Sequence, residues 1–256
     1  MSGQSLAGLR ILVTRELQAS EEFARRLSDL GAFPIICPAI QIVFRHPPGL
    51  DLALLGLGRF DWLVLTSANA VRAVGYRLDE LGLDPEEAFG QTRIAVVGQA
   101  TGAALEKLGG RAELVASSGS AAGLADDLVA AGVFETIVLF PASRVARPDL
   151  PQRLREAGAG VVQLAVYDTV APDRIALPDQ SSLDVATFTS PSAVRNALGA
   201  ADAVWLQAVP MICIGETTAA AARAAGALDV TVAADASMDG IIRSLLEFQQ
   251  RRQQEG

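Results

Sequence analysis

The chain has 256 residues, half of them hydrophobic and 20% charged, with a formal net charge of −8. That length fits one large domain or two of ordinary size, and the composition excludes a disordered chain and a broadly basic surface for nucleic acid or anionic membrane. Scarce side chains exclude more, because there is one histidine (His46), one lysine (Lys107), two cysteines (Cys37 and Cys213) and two tyrosines (Tyr76 and Tyr167). A Cys/His zinc site cannot be assembled from that set, and His46 in Arg45-His46-Pro47-Pro48 has no nucleophile motif beside it. Lys107 lies in Ala-Leu-Glu-Lys-Leu with no P-loop before it and reads as a solvated helix charge. What remains is chemistry by carboxylates, tyrosine, arginine, hydroxyls and backbone dipoles.

In chain order, Leu9 to Thr14 reads as a strand, followed by a helix over Ser20 to Leu30 that stops at Gly31. Phe33 to Val43 is extended, since Pro34 and Pro38 argue against helix. Asp61 to Thr66 is a strand, Ala68 to Leu81 a helix, and Arg93 to Val97 a strand ended by Gly98. A helix over Thr101 to Leu108, a strand over Glu113 to Ala116, a helix over Ala121 to Ala130 and a strand over Thr136 to Phe140 follow. Continuous apolar strands separated by helices predict an α/β fold whose parallel sheet is covered on both faces. Both cysteines sit in apolar runs and read as buried reduced thiols of a cytoplasmic protein. The first residues show no signal-peptide pattern, and no uncharged run reaches the ~20 residues that span a bilayer.

The second half repeats the first. Asp61 to Arg72 aligns without a gap with Asp184 to Arg195, six of twelve positions being identical. Val97-Gly98 through Leu128 aligns with Ile214-Gly215 through Leu245, and Arg26-Leu27 and Gly31-Ala32 align with Arg153-Leu154 and Gly158-Ala159. Such self-similarity predicts two similar parallel-sheet α/β domains, with ligand in a cleft outside the carboxyl ends of the strands. Those ends read Thr14-Arg15, Thr66-Ser67-Ala68-Asn69, Gly98 to Thr101, Pro141 to Arg144, Thr189 to Ser192 and Gly215 to Thr218. Each places small or hydroxyl residues where the next helix is expected to begin. Such residues cap helices, and the same N–H groups attract anions. No turn carries GxGxxG, so a nucleotide is not indicated.

These motifs together resemble the uroporphyrinogen-III synthase family: Ile11 to Arg15, Thr66 to Val71, Val96 to Thr101, Ala165 to Thr169, Thr189 to Val194 and Ile214 to Ala219. The resemblance runs in order from about Leu9 to about Glu247. It implies two domains joined by a two-stranded connector, one of residues 1–40 plus 168–256 and the other of 44–165, with crossovers near 40–44 and 166–171. It further implies that hydroxymethylbilane, a linear tetrapyrrole carrying eight carboxylates, loses water and closes to uroporphyrinogen III with ring D inverted, without a cofactor or metal. Tyr167 interrupts the repeat, where its counterpart is Ile40, and the family's functional tyrosine falls in this motif. It is the candidate acid for the departing hydroxyl.

Candidate carboxylate-binding positions carried over to matching turns are Ser67, Asn69, Thr101, Ser190, Ser192, Gly215, Thr217 and Thr218. Thr14, Arg15, Ser143 and Arg144 are added as strand-end donors or cations. Tyr76, mid-helix, is expected to pack. A monomer with transient contact to hydroxymethylbilane synthase is expected. The competing readings are a two-domain small-anion-binding protein without catalysis and a nucleotide-sugar glycosyltransferase with two Rossmann-like halves.

Overall fold

A computed structural model describes residues 5–255. The chain forms two compact units, one of residues 1–41 with 170–256 and the other of 42–169. The first unit holds β1 (Arg10–Val13), α1 (Leu17–Asp29) and β2 (Phe33–Ile36). The chain then leaves it through β3 (Gln41–Phe44) for the second unit. There follow α2 (Leu50–Leu55), β4 (Trp62–Leu65), α3 (Ala68–Glu80), α4 (Pro85–Phe89), β5 (Arg93–Val96) and α5 (Gln99–Glu106). β6 (Leu114–Val115), α6 (Ala121–Ala130), β7 (Ile137–Ser143), α7 (Asp149–Glu156) and β8 (Gly160–Val170) complete that unit. The chain returns to the first unit for β9 (Val185–Phe188), α8 (Pro191–Leu198), β10 (Met211–Cys213), α9 (Glu216–Ala224), β11 (Val230–Val232) and α10 (Met238–Glu255).

The sheet of the first unit has the order β11-β10-β9-β1-β2, and that of the second β3-β8-β7-β4-β5-β6. Apart from β3 at the edge, the two orders match strand for strand. The register matches as well: Arg10 pairs with Phe33 as Ile137 pairs with Gly160, and Met211 with Ala186 as Ile94 with Leu63. The duplicated sequence is therefore a duplicated sheet, but the repeats and the units do not coincide. Each unit takes two strands from one repeat (β1-β2 or β7-β8) and three from the other (β9-β10-β11 or β4-β5-β6).

Both faces of each sheet are covered, as continuous apolar strands require. In β4, Leu63 and Leu65 join one core cluster with Val71, Val74 and Leu78 of α3, while Trp62 and Val64 join another with Leu124 and Leu128 of α6. In β1, Leu12 packs toward Phe188 and Cys213, while Ile11 and Val13 face Phe23, Leu27 and Ile241. Helices α1 and α7 end alike, each followed by a glycine with left-handed backbone, Gly31 (φ +85°) and Gly158 (φ +87°). A Cβ on Gly158 would lie 2.6 Å from the Phe134 ring, so both conformation and space select glycine there.

Two short helices, α2 and α4, lie outside the elements read from the sequence. Strand β7 runs on through Pro141 to Ser143, and α7 begins only at Asp149. Pro141 has no N–H to give β4, and pairing of β7 with β4 ends at Leu139, while pairing with β8 carries the strand on to Ser143. Cys37 and Cys213 are free and buried, and burial pushes the Cys213 thiol up to about 11. No helix among the described residues is long and apolar enough to cross a membrane.

Candidate active site

In a parallel sheet the carboxyl ends of all strands share one edge, so each unit gathers its candidate residues there. In the second unit, Tyr167 lies near the end of β8, Ser67 follows β4 and Gly98 follows β5. Tyr167 is 8% exposed and its Oη lies 3.0 Å from Ser67 Oγ. Ser67 is also the N-cap of α3, its Oγ accepting from the Ala70 N–H at 3.1 Å. The phenol is thus held at a helix N-terminus, where the backbone dipoles favour negative charge developing on oxygen.

The other unit shows what the repeat looks like without the tyrosine. Ser190 caps α8 in the same way, accepting from the Ala193 N–H at 3.2 Å. Ile40 stands where the phenol would be, and Ser190 Oγ instead pairs with Ser192 Oγ at 3.1 Å. The cap belongs to the scaffold of both repeats; the phenol belongs to one.

Next to Tyr167 along β8 is a group that the sequence reading did not single out. The Asp168 side chain is 4% exposed and accepts from Arg45 Nε and Arg144 Nε, both at 2.8 Å, with Arg45 Nη2 at 2.7 Å. Burial opposes its ionisation, yet the hydrogen bonds from Arg45 and Arg144 outweigh burial and hold the carboxyl below its ordinary value. Arg45 lies just beyond β3 and Arg144 just beyond β7, the two neighbours of β8. Their amides donate to consecutive β8 carbonyls, Arg45 to Val166 at 2.8 Å and Arg144 to Tyr167 at 3.1 Å. Sequence spacing carries no sign of this convergence of three segments.

Several expected positions need correction. Ser143 and Arg144 do not begin a helix: Ser143 ends β7, its Oγ accepting from the Val145 N–H, and Arg144 is held by Asp168. Thr14 is fully buried and donates to the Thr187 carbonyl at 2.8 Å, so its hydroxyl ties β1 to β9. Helix α1 starts after Glu16, which is its N-cap, so Thr14 and Arg15 precede the turn itself. Arg15 Nη1 lies 2.9 Å from Met238 Sδ. Thr101 and Thr218 are buried in the first turns of α5 and α9, leaving Thr217 exposed beside Thr218. Asn69 accepts from the Arg72 guanidinium.

Gly98 and Gly215 are the N-caps of α5 and α9, and no side chain caps either helix. Their backbones are extended and a Cβ would meet nothing within 4 Å, so neither geometry nor packing demands glycine. Its effect is to leave the two helix starts uncovered. His46 lies in a loop with its Nε2 3.5 Å from Glu80, and Tyr76, half-exposed, stacks with His46 and tilts against Phe44. No group of three His, Cys, Asp or Glu side chains able to hold a metal ion occurs among the described residues.

The family model described as uroporphyrinogen-III synthase HemD matches residues 21–243. The chain belongs to the uroporphyrinogen-III synthase family. It is 33% identical over 207 residues to the uroporphyrinogen-III synthase of Synechococcus elongatus, covering 77% of this chain and 76% of that one. It is 31% identical over 254 residues to the chloroplastic uroporphyrinogen-III synthase of Oryza sativa, covering 93% and 80%. Among solved structures, uroporphyrinogen-III synthetase of Helicobacter pylori superposes with a TM-score of 0.61 at 17% identity, covering 94% of this chain and 99% of that one. A mutant uroporphyrinogen III synthase of Thermus thermophilus gives 0.57 at 21%, covering 97% and 100%. At those identities the structures speak for the fold, and the α/β architecture of parallel sheets is that of the uroporphyrinogen-III synthase family.

Proposed function

We propose that the chain is a uroporphyrinogen-III synthase, a cyclising lyase of tetrapyrrole biosynthesis that converts hydroxymethylbilane to uroporphyrinogen III with loss of water and inversion of ring D. The observation that carries this reading is the identity to relatives of that name over most of both chains. The geometry of the second unit fits the chemistry. A hydroxyl has one proton to donate. If Ser67 gives its proton to Tyr167 Oη while accepting from the Ala70 N–H, the phenol proton is free for the departing hydroxyl. Tyr167 is then the acid that assists water loss, worth about 10²-fold or more in rate.

Both units carry hydroxyls or uncovered helix starts at their strand ends, namely Ser67, Asn69 and Thr101 in one and Ser190, Ser192, Gly215, Thr217 and Thr218 in the other. Of these, Asn69, Ser190, Ser192, Thr217 and the uncovered helix start at Gly215 bind the substrate's carboxylates through charge-assisted hydrogen bonds, while Ser67 gives its one proton to Tyr167. Thr101 and Thr218, being buried, act by shaping the first helical turn and not by direct contact. An overall charge of −8 is compatible with an octacarboxylate ligand because the favourable potential is local to these helix starts. The enzyme works as a cytoplasmic monomer and receives its unstable substrate from hydroxymethylbilane synthase.

Expression in a bacterial strain lacking uroporphyrinogen-III synthase tests the activity in a cell. The chain is expected to restore growth without supplied haem. Continued haem dependence, with uroporphyrin I accumulating while the protein is present and folded, would contradict the reading.

A further inference from the structure

The Arg45–Asp168–Arg144 cluster serves neither core packing nor the acid role of Tyr167. Its carboxylate is buried, whereas the guanidiniums are not, the Arg45 and Arg144 side chains being 51% and 68% exposed. Asp168 takes Nε of both arginines and Nη2 of Arg45. Both nitrogens of the Arg144 fork and Nη1 of Arg45 have no protein acceptor among the described residues. Two cations against one anion leave the cluster with a net positive charge in an acidic protein.

Position and ancestry point the same way. The cluster stands at the strand-end edge of the sheet, and Asp168 follows Tyr167 directly, the two side chains leaving opposite faces of β8. In the repeat, Asp168 corresponds to Gln41, Arg144 to Leu17 and Tyr167 to Ile40. The scaffold elements of the repeats, by contrast, agree: Ser67 with Ser190, Gly31 with Gly158, and Asp61 with Asp184, each of which accepts from the first amide of the neighbouring strand, Ile137 at 2.7 Å and Arg10 at 2.8 Å. Three departures from the repeat thus meet at and beside the candidate phenol.

Resting on the reading of the chain as a uroporphyrinogen-III synthase, we propose that Arg45 and Arg144 form a carboxylate-anchoring site for the bilane and that Asp168 is a positioning residue fixing the two guanidiniums. Held by their Nε edges, both arginines are ordered before substrate arrives, so less side-chain entropy is lost when the outer nitrogens take a carboxylate. The same anchor fixes where the chain of pyrroles lies relative to Tyr167.

The test compares Arg45→Gln, Arg144→Gln and Arg144→Lys with wild type in two measurements. In steady-state turnover of hydroxymethylbilane, each glutamine variant is expected to raise KM about tenfold while kcat changes less than about twofold, as loss of a charge-assisted hydrogen bond formed equally in ground and transition states requires. Arg144→Lys, which keeps the charge without the fork, is expected to fall between. Thermal melting of each variant reports folding, and a purely structural staple would move the melting temperature without splitting KM from kcat. In the second measurement, uroporphyrin III is titrated by fluorescence quenching, and the glutamine variants are expected to bind it about tenfold more weakly than wild type. Wild-type KM and wild-type porphyrin affinity in both folded glutamine variants would overturn the proposal. If wild type itself turns over no bilane, the functional reading fails and the porphyrin titration alone decides the anchoring site.

Discussion

Tyr167→Phe is expected to lower the kcat for uroporphyrinogen III formation by about 10²-fold while leaving the melting temperature within about 2 °C of wild type. Phenylalanine fills the same space in β8, and Ser67 keeps its bond from the Ala70 N–H, so packing and helix cap both survive. What is lost is one proton donor held 3.0 Å from a helix-capping hydroxyl. The measurement is initial-rate kinetics with quantification of the type III isomer, because bilane closes spontaneously to the uninverted isomer and total porphyrin hides the loss. Unchanged kcat would make Tyr167 a packing residue. Ser67→Ala separates the two roles of that hydroxyl. Loss of the cap costs about 1 kcal/mol of stability, and loss of the partner lowers kcat by less than removing the phenol does.

The second large effect is on stability and its pH dependence. The Asp184 side chain is 5% exposed; it accepts from the Arg10 backbone N–H at 2.8 Å and is paired with the Arg10 and Arg252 guanidiniums at 2.9 and 2.8 Å. Hydrogen bonds from the Arg10 side chain, against the opposing effect of burial, and then the Arg10 amide and Arg252 hold its carboxyl far below the usual aspartate value. Asp184→Asn turns an NH₂ group toward donors and is expected to cost about 2 kcal/mol, or about 5 °C in melting temperature at neutral pH. Because the folded pKa is depressed, the ionic stabilisation is complete above the unfolded pKa of about 3.9 and lost as pH falls through the folded value. The gap between wild type and Asp184→Asn therefore narrows as pH drops below about 4. A gap that stays constant over pH 3–7, followed by circular dichroism melting, would contradict this account of Asp184.

The alternation of apolar strands with helices made the α/β class legible, and the duplication was legible because both repeats need the same caps, as Ser67 and Ser190 show at the starts of α3 and α8. Helix ends were readable where a local rule holds, as at Gly31. The rest depends on contacts between distant segments. Helices α2 and α4 are one to two turns long, too short for a helical period to stand out from neighbouring leucines. Strand β7 continues through Pro141 because β8 goes on pairing with it after β4 has stopped, a fact of register that no window of β7 contains. At the candidate site, Tyr167 showed itself as a break in the repeat, and the same comparison applied one residue further would have marked Asp168 against Gln41. Arg45 gave no such sign, since its partner lies 123 positions along the chain. Thr14 is the opposite case: a threonine at a strand end looks like a ligand donor, and only the neighbouring β9 shows the carbonyl that takes its proton.

A uroporphyrinogen-III synthase directs ring closure to the inverted isomer, and the product mixture shows it directly. Purified protein is mixed with enzymatically generated hydroxymethylbilane, the products are oxidised, and uroporphyrins I and III are separated by chromatography. Type III is expected to dominate in proportion to protein added, with type I confined to the spontaneous background. Formation of type I alone, at the rate seen without protein, would contradict it.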